Sequence, residues 1–105
     1  MRKILYSPGF GAGWTTWNSD ENVVKLMLTY QPIIDALERG EKMNSEHPAV
    51  KQLEKECEEK FGVTYVCVLG ADDLTIAEVS GRVHITEYDG SEGFVEEGGD
   101  DRTWM

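Results

Sequence analysis

Basic residues are scarce in this sequence. Its 105 residues include 10 lysines and arginines against 20 aspartates and glutamates, which gives a formal charge of −10 and an isoelectric point near 4.5. Surfaces that bind DNA or RNA need a basic stripe that displaces counterions, and an anionic membrane repels an acidic surface. The composition therefore argues against direct binding of nucleic acid or of a membrane.

Cysteines and long apolar runs are also few. Cys57 and Cys67 form neither a CxxC pair nor a disulfide framework, and each lies in a patterned segment where a thiol usually packs in the core. The longest apolar run, from Tyr65 to Leu69, is too short to span a bilayer, and the first residues lack the apolar region of a secretory signal. These features predict a soluble, cytoplasmic protein.

Recognisable catalytic and metal-binding motifs are absent from the sequence. Ser7 lies outside a GxSxG motif, and the acidic neighbours of Cys57 disfavour its thiolate. No HExxH, paired CxxC or calcium-loop spacing occurs. His47 is expected to cap a helix and His84 to lie on a strand. We therefore predict a non-enzymatic protein without metal or cofactor; a hydrolase using Ser7 or a carboxylate pair is the weaker alternative.

The first half of the chain predicts a strand, a loop and helical structure. Residues 3–6 favour a short strand and residues 9–17 a loop, after which Asn18 is placed to cap a helix. Pro32 either kinks one long helix or begins a second one after a break at Tyr30, and Gly40 ends the helical region. The apolar stripe of this region has the spacing 4, 3, 4, 3 and consists of Val23, Met27, Tyr30, Ile34 and Leu37.

The second half predicts one more helix and several strands. A helix begins at Pro48 and ends before Gly62, and residues 63–69 then read as a central strand. Strands over 74–79, 82–88 and 94–95 follow, separated by turns. The predicted fold is a single α+β domain over residues 1–105: a two-layer sandwich with a short N-terminal strand, two helices and an antiparallel β-meander, with an acidic tail from about residue 96.

The loop SPGFGAGWTTW, residues 7–17, is the most distinctive motif. Its alternating glycines leave backbone amides uncovered that could form a nest for a phosphate, while its tryptophans could stack on a base. It is not a dinucleotide fingerprint, since Trp14 stands where a small residue is required. The alternative is a tight loop whose tryptophans plug the edge of the sandwich. The predicted ligand-binding residues are Ser7, Gly9, Phe10, Gly11, Gly13, Trp14 and Trp17.

The stretch from Glu87 to Arg102 concentrates acidic residues, with seven carboxylates against one arginine and a local charge of −6. Such a stretch is typical of a solvated tail. It could also present carboxylates where a basic groove expects phosphates.

Three segments resemble small accessory proteins encoded by bacteriophages and prophages. They are YSPGFGAGWTTW (residues 6–17), FGVTYVCVLGADDL (61–74) and ITEYDGSE (85–92). The resemblance implies a protein of the host-cell cytoplasm that counters host defence, either by sequestering a nucleotide immune signal or by blocking a host enzyme, in some cases as a DNA mimic. It implies no functional residues.

Two functional hypotheses follow. In the first, which the loop motif favours, the loop binds a small phosphate-bearing ligand such as a nucleotide signal, with local positive charge from Arg2, Lys3 or Arg102; the second is the alternative. In the second, the protein is an acidic inhibitor or DNA mimic that binds a host defence protein or another nucleic-acid-binding enzyme. A homodimer or higher homo-oligomer is a further expectation.

Overall fold

Two antiparallel sheets and three α-helices form the part of the chain that the structure describes, residues 2–9 and 13–96 of a computed structural model. The mixed α+β class is confirmed, with a short N-terminal strand, then helices, then antiparallel strands. The strands are β1 (Arg2–Tyr6), β2 (Thr75–Val79), β3 (Val83–Tyr88) and β4 (Ser91–Glu96), and the helices are α1 (Glu21–Leu28), α2 (Gln31–Glu38) and α3 (Pro48–Phe61). Short 3-10 helices cover Thr15–Trp17 and Leu69–Asp73. The predicted acidic tail lies, beyond Glu96, outside the described residues.

The first helical region is two helices, which decides between the two alternatives left open for Pro32. Helix α1 ends at Leu28, and Pro32 lies in the first turn of α2, where its missing N–H costs nothing. The amides of Ile33 and Ile34 both donate to the carbonyl of Tyr30. The predicted stripe faces the core across both helices, because all its members are buried or packed against the buried cluster.

The cap of α1 differs from the prediction. Asp20, not Asn18, is the N-cap residue, and its Oδ1 accepts from the amides of Asn22 and Val23 at 2.9 and 3.1 Å. The prediction that Asn18 caps the helix was wrong. The Asn18 side-chain amide instead forms hydrogen bonds with the backbone of Cys67. Both residues are good cap formers, so the sequence alone does not rank them.

Helix α3 matches its prediction at both ends. The Nδ1 atom of His47 accepts from the amide of Ala49 at 3.0 Å, Pro48 follows as the first helical residue, and Gly62 takes the left-handed conformation with φ of 69°. On its outer face, Glu56 and Lys60 form an i, i+4 ion pair at 3.2 Å.

The predicted central strand over residues 63–69 is wrong. Residues 62–68 form no regular strand, and the 3-10 helix over Leu69–Asp73 follows directly. Val66, Cys67 and Val68 are buried in succession, but not within a sheet: Val66 and Val68 belong to the large core cluster, and the backbone of Cys67 bonds to Asn18. A continuous apolar run indicates that a segment is buried on both sides, as a central strand is. A segment can be buried in this way without pairing in a sheet.

The strands pair in two separate sheets rather than in one meander. β1 pairs with β2 in the register Tyr6↔Thr75, and β3 pairs with β4 in the register Tyr88↔Ser91. A turn at Asp89 and Gly90 closes the second pair, with φ of 52° and 82° at these residues. The turn is tight, so β4 begins directly after it at Ser91 and is longer than the predicted residues 94–95.

The core has two parts, and β1 lies between them. Successive strand residues point to opposite faces, so Leu5 joins the large helical core while Ile4 joins a smaller cluster. The smaller cluster also contains Leu28, Val79 and Val83. In the part of the chain that is described, none of the helices combines the length and the apolar character needed to cross a bilayer.

Candidate functional site

A buried carboxylate accepts hydrogen bonds from backbone amides of the glycine-rich loop. The side chain of Glu92, at the start of β4, is 3% exposed. Its Oε1 accepts from the amide of Ser7 at 2.9 Å, and its Oε2 accepts from the amides of Trp14 and Thr16 at 2.7 and 3.0 Å. The Thr16 hydroxyl adds a fourth bond at 2.6 Å. The loop is therefore an anion nest, and its anion is part of the chain.

The backbone also ties β4 to this loop. The amide of Glu92 donates to the carbonyl of Ser7 at 2.7 Å, and the Ser91 hydroxyl donates to the carbonyl of Pro8 at 2.7 Å. The rings of Tyr6 and Phe94 pack edge to face with centroids 5.3 Å apart. These contacts hold the two sheets together and fix the carboxylate below the loop.

Gly9 and Gly13, the two loop glycines that are described, both lie against carboxylates. A Cβ on Gly9 would be 2.2 Å from Oδ2 of Asp73, and a Cβ on Gly13 would be 3.0 Å from Oε2 of Glu92. At Gly13 the Thr16 hydroxyl would be closer still, at 2.5 Å. Glycine at position 13 therefore permits the close packing of chain around the carboxylate, and the electrostatic surroundings of both residues disfavour a bound phosphate.

The remaining predicted site residues separate into core and surface. Ser7 and Trp14 are fully buried, and the Trp14 indole N–H donates to the carbonyl of Met27 at 3.0 Å, so this ring belongs to the core. Trp17 is 41% exposed and is the loop tryptophan that solvent reaches. Phe10 and Gly11 lie outside the described residues.

Glu92 is not among the predicted site residues, because in the sequence it is one carboxylate of the acidic stretch. A usable signal was present: a loop rich in uncovered amides requires an anion, and a carboxylate of the chain can supply it. The sequence does not say which of the 20 carboxylates does so. That choice depends on the pairing of β3 with β4, which brings Glu92 under the loop.

A cleft at the surface, here called the Trp17–Tyr65 cleft, lies beside the nest. Its volume is about 240 Å³, and Tyr65 is 74% exposed. The Trp17 indole N–H donates to Oε2 of Glu87 at 3.3 Å. The lining residues of the cleft are Trp17, Asn18, Ser19, Asp20, Val23, Val63 and Tyr65. Aromatic rings and a carboxylate thus meet at one opening.

A second depression, of about 440 Å³, contains His47 but not the geometry of a catalytic histidine. The Nδ1 atom of His47 accepts a hydrogen bond from the amide of Ala49. The ring proton is therefore on Nε2, which donates to Oε1 of Glu41 at 2.9 Å. Hydrogen bonds from Arg39 and His47 hold the pKa of the Glu41 carboxyl below its usual value. Both ring nitrogens are therefore engaged in supporting the start of α3.

The surroundings of Cys57 disfavour its thiolate, and a metal-binding cluster is absent from the described part of the chain. Burial raises the pKa of the Cys57 thiol, with a further contribution from nearby carboxylates, so the thiolate is disfavoured. Within residues 2–9 and 13–96, no group of three or more histidine, cysteine, aspartate or glutamate side chains is placed to hold a metal ion.

Comparisons with known proteins give no relative from which a function could be transferred. No family model, no curated protein and no solved structure matches the chain. The case for a function therefore depends on the nest, the cleft and the charge of this molecule.

Proposed function

We propose that the protein is a non-enzymatic binding module that engages a basic partner protein through its acidic surface. The observation that carries this proposal is the buried Glu92 carboxylate, because it already binds the amides of Ser7, Trp14 and Thr16. With these donors used, the described part of the loop offers an anion little positive potential. The formal charge of −10 favours a cationic partner.

This proposal corresponds to an acidic inhibitor that occupies a basic site on a nucleic-acid-binding enzyme. The resemblance to phage accessory proteins supports a host enzyme as the partner. The other hypothesis, capture of a phosphate-bearing ligand such as a nucleotide signal, requires that the ligand displace Glu92 and approach Asp73. Two carboxylates beside one phosphate would repel it, which is why we favour the basic partner.

Native mass spectrometry of the purified protein separates these hypotheses. The protein is measured alone, after incubation with a nucleotide-rich cell extract, and after incubation with a bacterial lysate. We expect an unchanged mass in the nucleotide extract and a protein–protein complex in the lysate. A discrete small-molecule adduct would overturn the proposal and would give the mass of the ligand.

The salt dependence of the complex then tests the electrostatic basis. With the purified partner, we expect the affinity to fall about tenfold or more between about 50 and 200 mM NaCl. Heparin, a polyanion, should displace the protein from its partner, whereas neutral dextran should not. An affinity that is independent of salt, or a partner that heparin does not release, would contradict an acidic docking surface.

A further inference from the structure

The Trp17–Tyr65 cleft combines features that select a cation. Two aromatic side chains and the Asp20 carboxylate line it, and no lysine, arginine or histidine is among its described lining residues. An aromatic face attracts a cation through its quadrupole, and the attraction grows when part of the surrounding water is excluded. The described lining residues therefore offer an anion no cationic side chain.

Two carboxylates contribute negative charge at or near the cleft, since Asp20 lines it and Glu87 bonds to Trp17. Asp20 uses Oδ1 to cap α1, and within the described residues no hydrogen bond engages its Oδ2. Glu87 accepts from the Trp17 indole N–H at 3.3 Å, which orients the ring and places a second negative charge beside it. The carboxylates add a Coulomb attraction to that of the rings, and this attraction acts on cations only.

The size and shape of the cleft favour a side chain that enters from a partner. About 240 Å³ accommodates a cationic head group and part of its stem, and Val23 and Val63 supply apolar contact for methylene groups. An arginine suits this cleft better than a lysine. Its planar guanidinium stacks on aromatic faces, is more weakly hydrated than an ammonium group, and keeps donors in its plane for a carboxylate.

We infer that the Trp17–Tyr65 cleft seats an arginine side chain of the basic partner, stacked on the aromatic rings and paired with Asp20. This inference rests on the proposed function, since it assigns the point at which the acidic surface recognises a basic protein.

The direct test uses an isolated arginine side chain as the probe. N-acetyl-arginine N-methylamide is titrated into ¹⁵N-labelled protein, and the Trp17 indole signal and the Tyr65 amide signal are followed by NMR. We expect saturable shifts of both signals. The neutral isostere N-acetyl-citrulline N-methylamide should leave them in place, and the lysine analogue should bind more weakly. Equal shifts with arginine and citrulline would overturn the inference.

Matched variants then test the same seat in the complex with the full partner. Tyr65 and Tyr88 are 74% and 75% exposed, and only Tyr65 lines the cleft, so Tyr65→Ala is compared with Tyr88→Ala. We expect Tyr65→Ala to weaken the complex about fivefold or more and Tyr88→Ala to leave it unchanged.

A second pair of variants tests the role of the negative charge in the cleft. Asp20→Asn keeps the helix cap, because asparagine caps as well as aspartate, and it removes the charge. Asp35→Asn removes an exposed carboxylate that does not line the cleft. We expect only Asp20→Asn to weaken the complex by about fivefold or more.

The two proposals fail in different ways. If Tyr65→Ala and Asp20→Asn bind the partner as tightly as their controls while the complex remains sensitive to salt, the arginine seat is wrong and the acidic module stands. If no basic partner forms a salt-sensitive complex, the proposed function is wrong, and the NMR titration alone decides whether the cleft binds a guanidinium.

Discussion

Glu92 is a buried charge that the backbone of the loop stabilises. A carboxylate removed from water costs several kcal/mol unless hydrogen bonds replace its hydration. Here four donors meet its two oxygens, three of them backbone amides that would themselves be costly to leave unpaired. The carboxylate and the loop therefore depend on each other, and the glycine at position 13 leaves the space in which they meet.

Replacing Glu92 by glutamine tests this dependence. The glutamine side chain has one carbonyl oxygen, so its NH₂ group must face donors that now lack an acceptor. We expect Glu92→Gln to lower the free energy of unfolding by about 2 to 3 kcal/mol. The measurement is urea denaturation followed by circular dichroism. Glu96→Gln, on the exposed end of β4, serves as the control and should change stability by less than about 0.5 kcal/mol. Equal stability of the two variants would contradict the role of Glu92.

The hydrogen bond between Tyr30 and Glu56 joins the start of α2 to α3. The Tyr30 hydroxyl donates to Oε2 of Glu56. Burial and this hydrogen bond raise the pKa of Tyr30 well above its ordinary value of 10.0, and the same bond lowers the pKa of Glu56. The folded chain thus holds the tyrosine proton more tightly than the unfolded chain does.

Tyr30→Phe should therefore have an effect that depends on pH. Below pH 10.0, the ordinary pKa of tyrosine, the protonated hydroxyl stabilises the fold fully. This stabilisation is lost as the pH rises from the ordinary pKa towards the raised pKa of the folded chain. We expect the variant to be about 1 kcal/mol less stable than the parent at neutral pH. The difference should shrink by about pH 11. Tyr6→Phe is the control, and denaturation curves that show a constant difference across this range would contradict the assignment.

At the scale of elements, the segment over residues 62–68 is held by a side chain in place of a strand. Asn18 accepts from the amide of Cys67 at 2.9 Å and donates to its carbonyl at 3.0 Å, which is the pair of bonds that a neighbouring strand would make. The same amide group donates to the carbonyl of Trp14. Asn18 thereby joins the loop to this segment at the edge of the Trp17–Tyr65 cleft.

Asn18→Ala should loosen this connection. We expect a loss of about 1 to 3 kcal/mol, because the part-buried amide and carbonyl of Cys67 would lose their partner. Hydrogen exchange at the Cys67 amide should accelerate by more than exchange at β1. Asn22→Ala, at an exposed position of α1, is the control and should have little effect on either measurement. Unchanged exchange at Cys67 would show that other contacts hold the segment.

At the scale of the whole molecule, excess negative charge opposes compaction. The ion pairs of the described residues lie at the surface, where each contributes little, and most carboxylates in the described part of the chain are outside these pairs. The folded chain brings these like charges closer together than the unfolded chain does, so screening should favour the folded state.

We therefore expect added salt to stabilise the free protein. The melting temperature, measured by calorimetry, should rise between about 10 and 200 mM NaCl, over which the Debye length falls from about 30 to below 10 Å. This response is opposite in sign to that of the complex with a basic partner, which salt should weaken. A melting temperature that falls with salt would show that the surface ion pairs outweigh the repulsion.

Much of the fold is predictable because it is local. The helical stripe, the caps at His47 and Gly62, and the tight turn at Asp89 and Gly90 depend on residues close in sequence, so their patterns survive in one dimension. The predicted strand over residues 63–69 failed because its pattern records burial, and burial does not specify a sheet partner. The amides of Ser7, Trp14 and Thr16 bind a carboxylate of the chain itself, and no local pattern identified that carboxylate as Glu92.

The sequence by itself determined the α+β class, the acidic surface and the amide-rich loop, since composition and short-range pattern suffice for each. Only the tertiary structure decided that Glu92 fills the nest, that Trp14 is core while Trp17 is surface, and that Trp17 and Tyr65 share one cleft. The contact of Glu92 with Trp14 spans 78 positions, and the cleft joins position 17 to position 65. Their physical cause is the pairing and packing of distant elements, which no local preference encodes.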